Sequence, residues 1–335
     1  MTALRAGVLG HGVMGRNHAR VLGALDGVEL VAIADPAVEP GGGPGSVTVV
    51  HDLEALLACG IEMCVVAVPT AEHLTVGLAL AEAGVHALIE KPLALDCVAG
   101  QQLVDAFNKA GLVGGVGHVE RFNAALRALH ARLDAGELGQ AYQVATSRQG
   151  PFPARIRDVG VVKDLATHDL DLTAWITGSG YVEVSAQVAR KAGRPHEDLV
   201  AVVGLLADGT VTNHLVNWLS PFKQRQIIVT GERGSFTADT LTADLTFHAN
   251  GIERLGWDAI SQFRGVSEGD MVRFAIPKPE PLAMELSAFR DAITGGPLGG
   301  EVVTLAEGLG AVAAAEAVLE AAATGRTVTL DGQTR

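Results

Sequence analysis

Cysteine is scarce in this chain. Its three residues in 335, Cys59, Cys64 and Cys97, form no CxxC pair. An odd, sparse set excludes a disulfide framework and reads as reduced thiols of a cytoplasmic protein, packed as small apolar side chains. Positive charge is also in deficit, with 25 Lys and Arg against 38 Asp and Glu and a net charge of −13. That balance argues against nucleic-acid backbone binding as the main activity. It leaves a small anionic ligand open, because a few local arginines can reverse the field inside one cleft. Long apolar runs are missing too, although the mean hydropathy is +0.28. The run at 6–9 stops at a glycine cluster, short of the ~7–15 apolar residues of a signal-peptide core or the ~20 of a spanning helix. The stretch 305–323 is Ala-rich but carries Glu307, Glu316 and Glu320, so it reads as a packed helix outside any membrane. No internal repeat is visible, and the Gly/Pro-rich stretches 40–45 and 294–300 are too short for flexible linkers. The 41 glycines lack a Gly-X-Y period, which excludes collagen.

What is present is a folding composition: 48% hydrophobic and 19% charged residues, enough length for two domains of ~100–200 residues each. The first third alternates short β-branched runs (6–9, 29–34, 48–50, 63–68, 86–89, 113–116) with helical stretches (10–25, 53–58, 72–83, 93–110). Such alternation implies a parallel sheet covered on both faces. After about residue 120, a helix to 133 gives way to alternating segments at 141–147, 182–188, 199–206, 211–217 and 226–230. Their turns, Ala207-Asp208-Gly209 and Gly231-Glu232-Arg233-Gly234, suit hairpins. The expectation is a mostly antiparallel sheet, interrupted by a helix at 163–177 and followed by helices at 282–294 and 304–323. The domains are expected at 1–120 and 121–335, with the C-terminal helices able to pack back on the first.

Gly10-His11-Gly12-Val13-Met14-Gly15 places a GxGxxG between a strand and a helix. Gly10 permits the tight turn, Gly12 lets a pyrophosphate approach the backbone, and Gly15 lets helix and strand pack closely. The N–H groups opening the helix then face the phosphates. An ordinary tight turn would explain the motif alone. Asp35 strengthens the cofactor reading: it ends the next strand twenty residues after Gly15, where a carboxylate bonds both ribose hydroxyls. With Pro36 and no arginine beside it, it favours NAD over NADP, although a turn aspartate before proline is the plain alternative. Pro69 and Thr70, at the carboxyl end of a later strand, are expected neighbours of the cofactor, or else a proline turn and a helix cap. His73, on the helix after them, reads as a surface residue without a catalytic part. Glu90-Lys91-Pro92 ends another strand at the same edge, and there a lysine ammonium can orient a hydroxyl and stabilise developing oxygen charge. A surface ion pair is the alternative.

With Asp164-Leu-Ala-Thr-His168-Asp169 added, these motifs stand in an order and spacing that resemble the Gfo/Idh/MocA (glucose–fructose oxidoreductase-like) family over the whole chain. The resemblance implies an NAD-binding Rossmann domain of doubly wound parallel sheet. It also implies a C-terminal α/β domain on an open, mostly antiparallel sheet that floors the substrate site, with assembly as a homo-oligomer, a dimer or tetramer. It further implies that Lys91, Asp164 and His168 meet the reacting carbinol and that Glu90 adjoins the cofactor. Asp164 and His168, four apart, share a face if helical. Histidine suits removal of an alcohol proton, and a carboxylate can hold its ring. A metal reading of His168, Asp169 and Asp171 fails because their spacing does not aim all three at one point; a buried structural histidine remains open. A narrower resemblance rests on His118-Val119-Glu120-Arg121-Phe122-Asn123 and on 153–162, which look like the branch oxidising the 3-hydroxyl of UDP-N-acetylglucosamine or its uronic acid. It implies that Arg121, Asn123, Arg155 and Arg157 hold the nucleotide-sugar, in keeping with the arginine forks a diphosphate requires. Two departures stand: Ala124 where proline follows the asparagine, and Lys163 where an apolar residue is common. A dehydrogenase of a free polyol such as an inositol, a glycosidase using transient oxidation, and a non-catalytic NAD-binding regulator are the other readings.

Overall fold

The computed structural model describes residues 3–38, 41–42, 47–153, 159–251 and 267–332. The chain divides into two compact units, one of Met1–Phe122 with Pro279–Ala313, the other of Asn123–Lys278 with Ala314–Arg335. The chain therefore returns to the first unit after building most of the second.

The first unit is built on a sheet of parallel strands β1 (Leu4–Leu9), β2 (Val28–Ala34), β4 (Thr48–Val50), β5 (Met63–Val66), β6 (His86–Glu90) and β7 (Gly114–Gly117). The order is β3-β4-β2-β1-β5-β6-β7, with the two-residue β3 (Gly41–Gly42) antiparallel at the edge. The two-residue period of a strand sends alternate side chains to opposite faces. Val8, Ile33, Met63, Val65 and Leu88 join one apolar cluster, while Leu9, Ala32, Ala34, Cys64, Val66 and Ile89 join another. Helices α2 (Leu53–Ala58), α3 (His73–Glu82) and α4 (Cys97–Ala110) cover the second face. The first is covered by α1 (Val13–Leu22) and by α7 (Pro281–Thr294), whose Leu286 and Phe289 are fully buried there. Burial of side chains that size contributes about 1.5–3 kcal/mol each, so this late helix is integral to the early sheet. Burial also pushes the Cys64 thiol up to about 12, an inert packing residue as its sequence context suggests.

Helix α4 starts at Cys97, four residues later than expected, because the Asp96 side chain accepts the Ala99 N–H at 2.8 Å and caps the helix there. Residues 93–96 stay irregular between the Lys91 strand end and that cap.

The second unit carries a nine-stranded sheet, ordered β15-β14-β13-β12-β8-β11-β10-β9-β16. Its strands are β8 (Ala141–Pro151), β9 (Tyr181–Ala189), β10 (Leu199–Leu206), β11 (Val211–Asn217), β12 (Leu219–Gly231), β13 (Gly234–Asp239), β14 (Asp244–Gly251), β15 (Ser267–Arg273) and β16 (Val328–Thr329). Neighbours are antiparallel except β8 and β11. Helices α5 (Ala124–Asp134) and α6 (Thr167–Thr177), with the end of α8 (Leu305–Thr324), cover one face through Leu129, Leu172, Ile176 and Val318. On the opposite face Val203, Val211 and Leu215 are exposed. Strands β13 to β16 lie beyond the expected set. The β13–β14 hairpin turns without glycine: Ala243 takes φ 53°, and Asp239 accepts the N–H groups of Leu241 and Thr242. Its turn therefore lacks the usual sequence signature.

Arg148 on β8 and Asp169 on α6 form a buried ion pair, the guanidinium Nε lying 3.1 Å from each carboxylate oxygen. It fixes the rotation of α6 against the sheet. Arg148→Met should leave Asp169 buried without that cation and cost about 3–5 kcal/mol of unfolding free energy. Urea titration checks this; a loss below ~1 kcal/mol would show the pair to be dispensable.

Candidate active site

Six loops leave the carboxyl ends of the parallel strands at one edge of the first unit, where open α/β sheets bind ligands. After β1 the chain turns sharply at Gly10, with φ +90°. A Cβ on Gly15 would lie 1.8 Å from the Gly10 carbonyl oxygen, so only glycine allows helix α1 to start this close to the strand. A Cβ on Gly12 would meet nothing within 4 Å, which leaves an open approach to the backbone. No side chain caps α1, so the N–H groups at Val13, Met14 and Gly15 keep no side-chain acceptor. This is a cradle for an anion at a helix N-terminus.

Asp35 follows β2 at the same edge. Its Oδ2 accepts the His11 N–H at 2.6 Å and its Oδ1 the Ala37 N–H at 2.8 Å, so its carboxylate is held beside the glycine turn. Glycine cradle and strand-end acid together fit the pyrophosphate and ribose of a dinucleotide.

Pro69 and Thr70 follow β5, Thr70 opening a single 3-10 turn (Thr70–Glu72). His73 then begins α3, and here the surface expectation is corrected: the residue is 1% exposed. Its Nδ1 lies 3.1 Å from the Pro92 carbonyl and 3.2 Å from that of Leu93, and its Nε2 lies 3.1 Å from the Val68 carbonyl. Helical periodicity put His73 on the outer turn, but the loop after Lys91 folds over it. Burial pulls its pKa below the ordinary value, against the opposing pull of those carbonyls. As a neutral ring it donates one N–H to a carbonyl of the Val68 loop or the Pro92 loop and packs against the other.

Lys91 directly follows β6, half-buried, and its N–H donates to Glu90 Oε2 at 3.2 Å. Glu90 turns its other oxygen inward, 2.7 Å from Nε2 of the fully buried His18 on α1. Burial pushes the Glu90 carboxyl up, but the His18 bond and the charges of His18 and Lys91 outweigh it and hold the pKa below the usual value. The carboxylate expected beside the cofactor is thus taken up by the protein. His18, three residues after Gly15 on the buried side of α1, was absent from the expected set. Arg121 closes the unit: buried, it pairs with Glu307 at 2.6 Å, and Glu307 in turn caps α8 through the Thr304 N–H and hydroxyl.

Asp164 and His168 belong to the second unit, where both are buried. The regular helix expected over 163–177 is a π-helical turn (Val162–Ala166) leading into α6. Winding i to i+5 leaves residues four apart just short of a full turn, so Asp164 and His168 remain neighbours; such turns concentrate at functional sites. Glu197, absent from the expected set, caps this turn. Its Oε1 accepts the Val162 N–H at 3.1 Å, and a Cβ at Gly160 would push into that carboxylate at 1.9 Å and displace it from the cap. Asn123 caps α5, its Oδ1 accepting the Ala125 N–H at 3.0 Å and its Nδ2 donating to the Thr240 carbonyl at 3.0 Å. This cap replaces the longer helix expected from residue 120. Arg155 and Arg157 lie outside the described residues.

Residues 4–118 match the family described as "Oxidoreductase family, NAD-binding Rossmann fold", and residues 126–237 match the GFO/IDH/MocA C-terminal domain. A UDP-N-acetylglucosamine 3-dehydrogenase from Acidithiobacillus ferrooxidans is 33% identical over 64% of this chain and 66% of its own length. The chain thus spans about two thirds of that relative in the alignment. A solved structure of UDP-N-acetylglucosamine 3-dehydrogenase from the same organism superposes with a TM-score of 0.80 at 27% identity, covering 96% of this chain and 98% of that one. An inositol 2-dehydrogenase 2 from Saccharopolyspora erythraea is 28% identical over 98% of this chain and 96% of its own.

The position of Asp35 generates a test. A ribose 2′-phosphate would meet a carboxylate there, a like-charge contact costing on the order of several kcal/mol. Calorimetry should find NAD bound in strong preference to NADP, and Asp35→Ser should narrow the gap by weakening NAD and admitting NADP. Equal affinities in the wild type would remove Asp35 from the ribose site.

Proposed function

This chain belongs to the GFO/IDH/MocA oxidoreductase family, and from that premise we propose that it is an NAD-dependent dehydrogenase acting on a CH–OH group. Its proposed substrate is a nucleotide-linked amino sugar such as UDP-N-acetylglucosamine, taken to the 3-keto form. The observation that carries the reading is Lys91 at the carboxyl end of β6, on the same sheet edge as the glycine cradle and Asp35.

Asp35 holds the ribose, the backbone at Gly10, Gly12, Val13, Met14 and Gly15 holds the pyrophosphate, and Pro69 and Thr70 border the dinucleotide. The nicotinamide supplies the hydride acceptor when bound. Lys91 orients the substrate hydroxyl and stabilises charge on its oxygen, His168 accepts the hydroxyl proton, and Asp164 holds the imidazole. Arg155 and Arg157 clamp the diphosphate, with Arg121 and Asn123 at the same sugar-nucleotide site through the bonding capacity their present partners leave.

The 33% identity to a UDP-N-acetylglucosamine 3-dehydrogenase supports the nucleotide-sugar. The near full-length match to an inositol 2-dehydrogenase supports a second reading, a free polyol. The protein is further proposed to be cytoplasmic and to assemble as a homo-oligomer, a dimer or tetramer. Its free cysteines support the first, and Val203, Val211 and Leu215, exposed on the sheet face opposite the helices, support the second. Among the described residues no helix is long and apolar enough to cross a membrane.

NADH formation across UDP-sugars, dTDP-sugars and inositols tests the substrate class. Arg155→Ala should raise KM for a nucleotide-sugar by roughly 10- to 150-fold, the equivalent of about 1.5–3 kcal/mol, with NAD affinity intact. Best activity on an inositol with unchanged KM would establish the polyol reading. His168→Ala and Lys91→Ala should each lower kcat by about 10²–10⁴-fold while NAD still binds. Near wild-type turnover by a folded His168→Ala enzyme would make that helix face structural.

A further inference from the structure

The cradle assigned to the pyrophosphate is backbone alone, yet one cationic side chain lies on it. Arg16 is exposed at the fourth helical position of α1, directly after Gly15. Its backbone N–H donates to the Gly12 carbonyl at 3.1 Å, while its Nη1 reaches back to the turn and donates to the His11 carbonyl at 3.3 Å. His11 stands between Gly10 and Gly12, and its own N–H donates to Asp35 Oδ2 at 2.6 Å. One residue of the glycine turn thus carries the ribose acid on its N–H and a guanidinium on its carbonyl. Among the described residues no carboxylate pairs with Arg16, and the first turn of α1 holds no acid. Arg20, a turn further along the helix, pairs with Glu280 instead. A guanidinium offers five N–H donors, and the His11 bond takes one of them.

We propose that Arg16 is a binding residue for the pyrophosphate of the dinucleotide, adding a side-chain cation to the backbone N–H groups that open α1. A helix N-terminus supplies about half an elementary charge, less than a doubly charged pyrophosphate calls for. The chain as a whole carries a net charge of −13, so the remainder has to come from a local cation. The bond to His11 keeps the guanidinium at the turn, which lowers the side-chain entropy lost when an anion binds. Its remaining donors are free for phosphate oxygens, to which charge-assisted bonds are stronger than the bond to a neutral carbonyl. The inference rests on the glycine turn being the pyrophosphate cradle, and it gives Arg16 no part in the chemistry at the substrate carbon.

The test measures the binding of NAD, ADP and adenosine to the wild-type protein, Arg16→Gln and Arg16→Lys by calorimetry, at low and at high salt. Arg16→Gln should weaken NAD and ADP by about tenfold, the worth of a charge-assisted bond at an exposed site. It should also flatten the salt dependence of NAD binding, because a screened charge has been removed. Adenosine, which has the ribose and no phosphate, should bind the variant as it binds the wild type. Arg16→Lys should recover part of the loss, since it keeps the charge without the planar fork. The thermal midpoints of the ligand-free proteins should stay close together, as expected for an exposed residue. If Arg16 merely braced His11 and through it Asp35, adenosine would weaken in step with NAD and ADP, and that result overturns the proposal. NAD bound equally by the wild type and Arg16→Gln also overturns it while leaving the cradle in place. A wild-type protein that binds no NAD retires the cradle itself, and this inference with it.

Discussion

A 2.7 Å hydrogen bond between His18 and Glu90 ties the helix that follows the glycine turn to the strand end that carries Lys91. His18 is fully buried and the Glu90 side chain largely so, which places the bond in a low dielectric where its partners are strongly held. The two ends of the ligand edge therefore cannot shift independently. Phosphate cradle and lysine are set at a fixed spacing by a contact between them, beneath the surface. His73, buried between the Val68 loop and the carbonyls that follow Lys91, adds a second internal contact at this edge.

The second unit meets the same need by another route. Its Asp164 sits on a π-helical turn and His168 in the first turn of α6 that follows; the first N–H groups of the π turn must find acceptors, and Glu197 supplies one. The following turn of α6 is locked by the buried Arg148–Asp169 pair, one residue beyond His168. Capping from the β9–β10 connection and ion pairing from β8 leave the Asp164–His168 face little freedom to rotate. In both units the groups proposed to meet substrate are held by buried charged or polar partners that take no part in the proposed chemistry.

The parallel sheet was legible because its signals are local: β-branched runs, a GxGxxG between strand and helix, and an acid at the end of the next strand. The half of the second sheet formed by β13 to β16 was not. Those segments are rich in Asp and Thr, and Ala243 turns the hairpin at φ 53° where a glycine would have announced it. His73 was misplaced for a related reason. Its helix position looked solvent-facing, and only the path of the loop after Lys91 buries it.

The sequence by itself determined the cofactor cradle, because glycine at 10 and 15 is required by backbone geometry and needs no distant partner to be recognised. It also determined the four-residue spacing of Asp164 and His168, which survives the change from α to π winding. Tertiary structure alone decided which charges stay in the core. His18 and Glu90 come from segments far apart in the chain, as do Arg121 and Glu307. Their partners depend on position in space, which no local pattern of residues encodes.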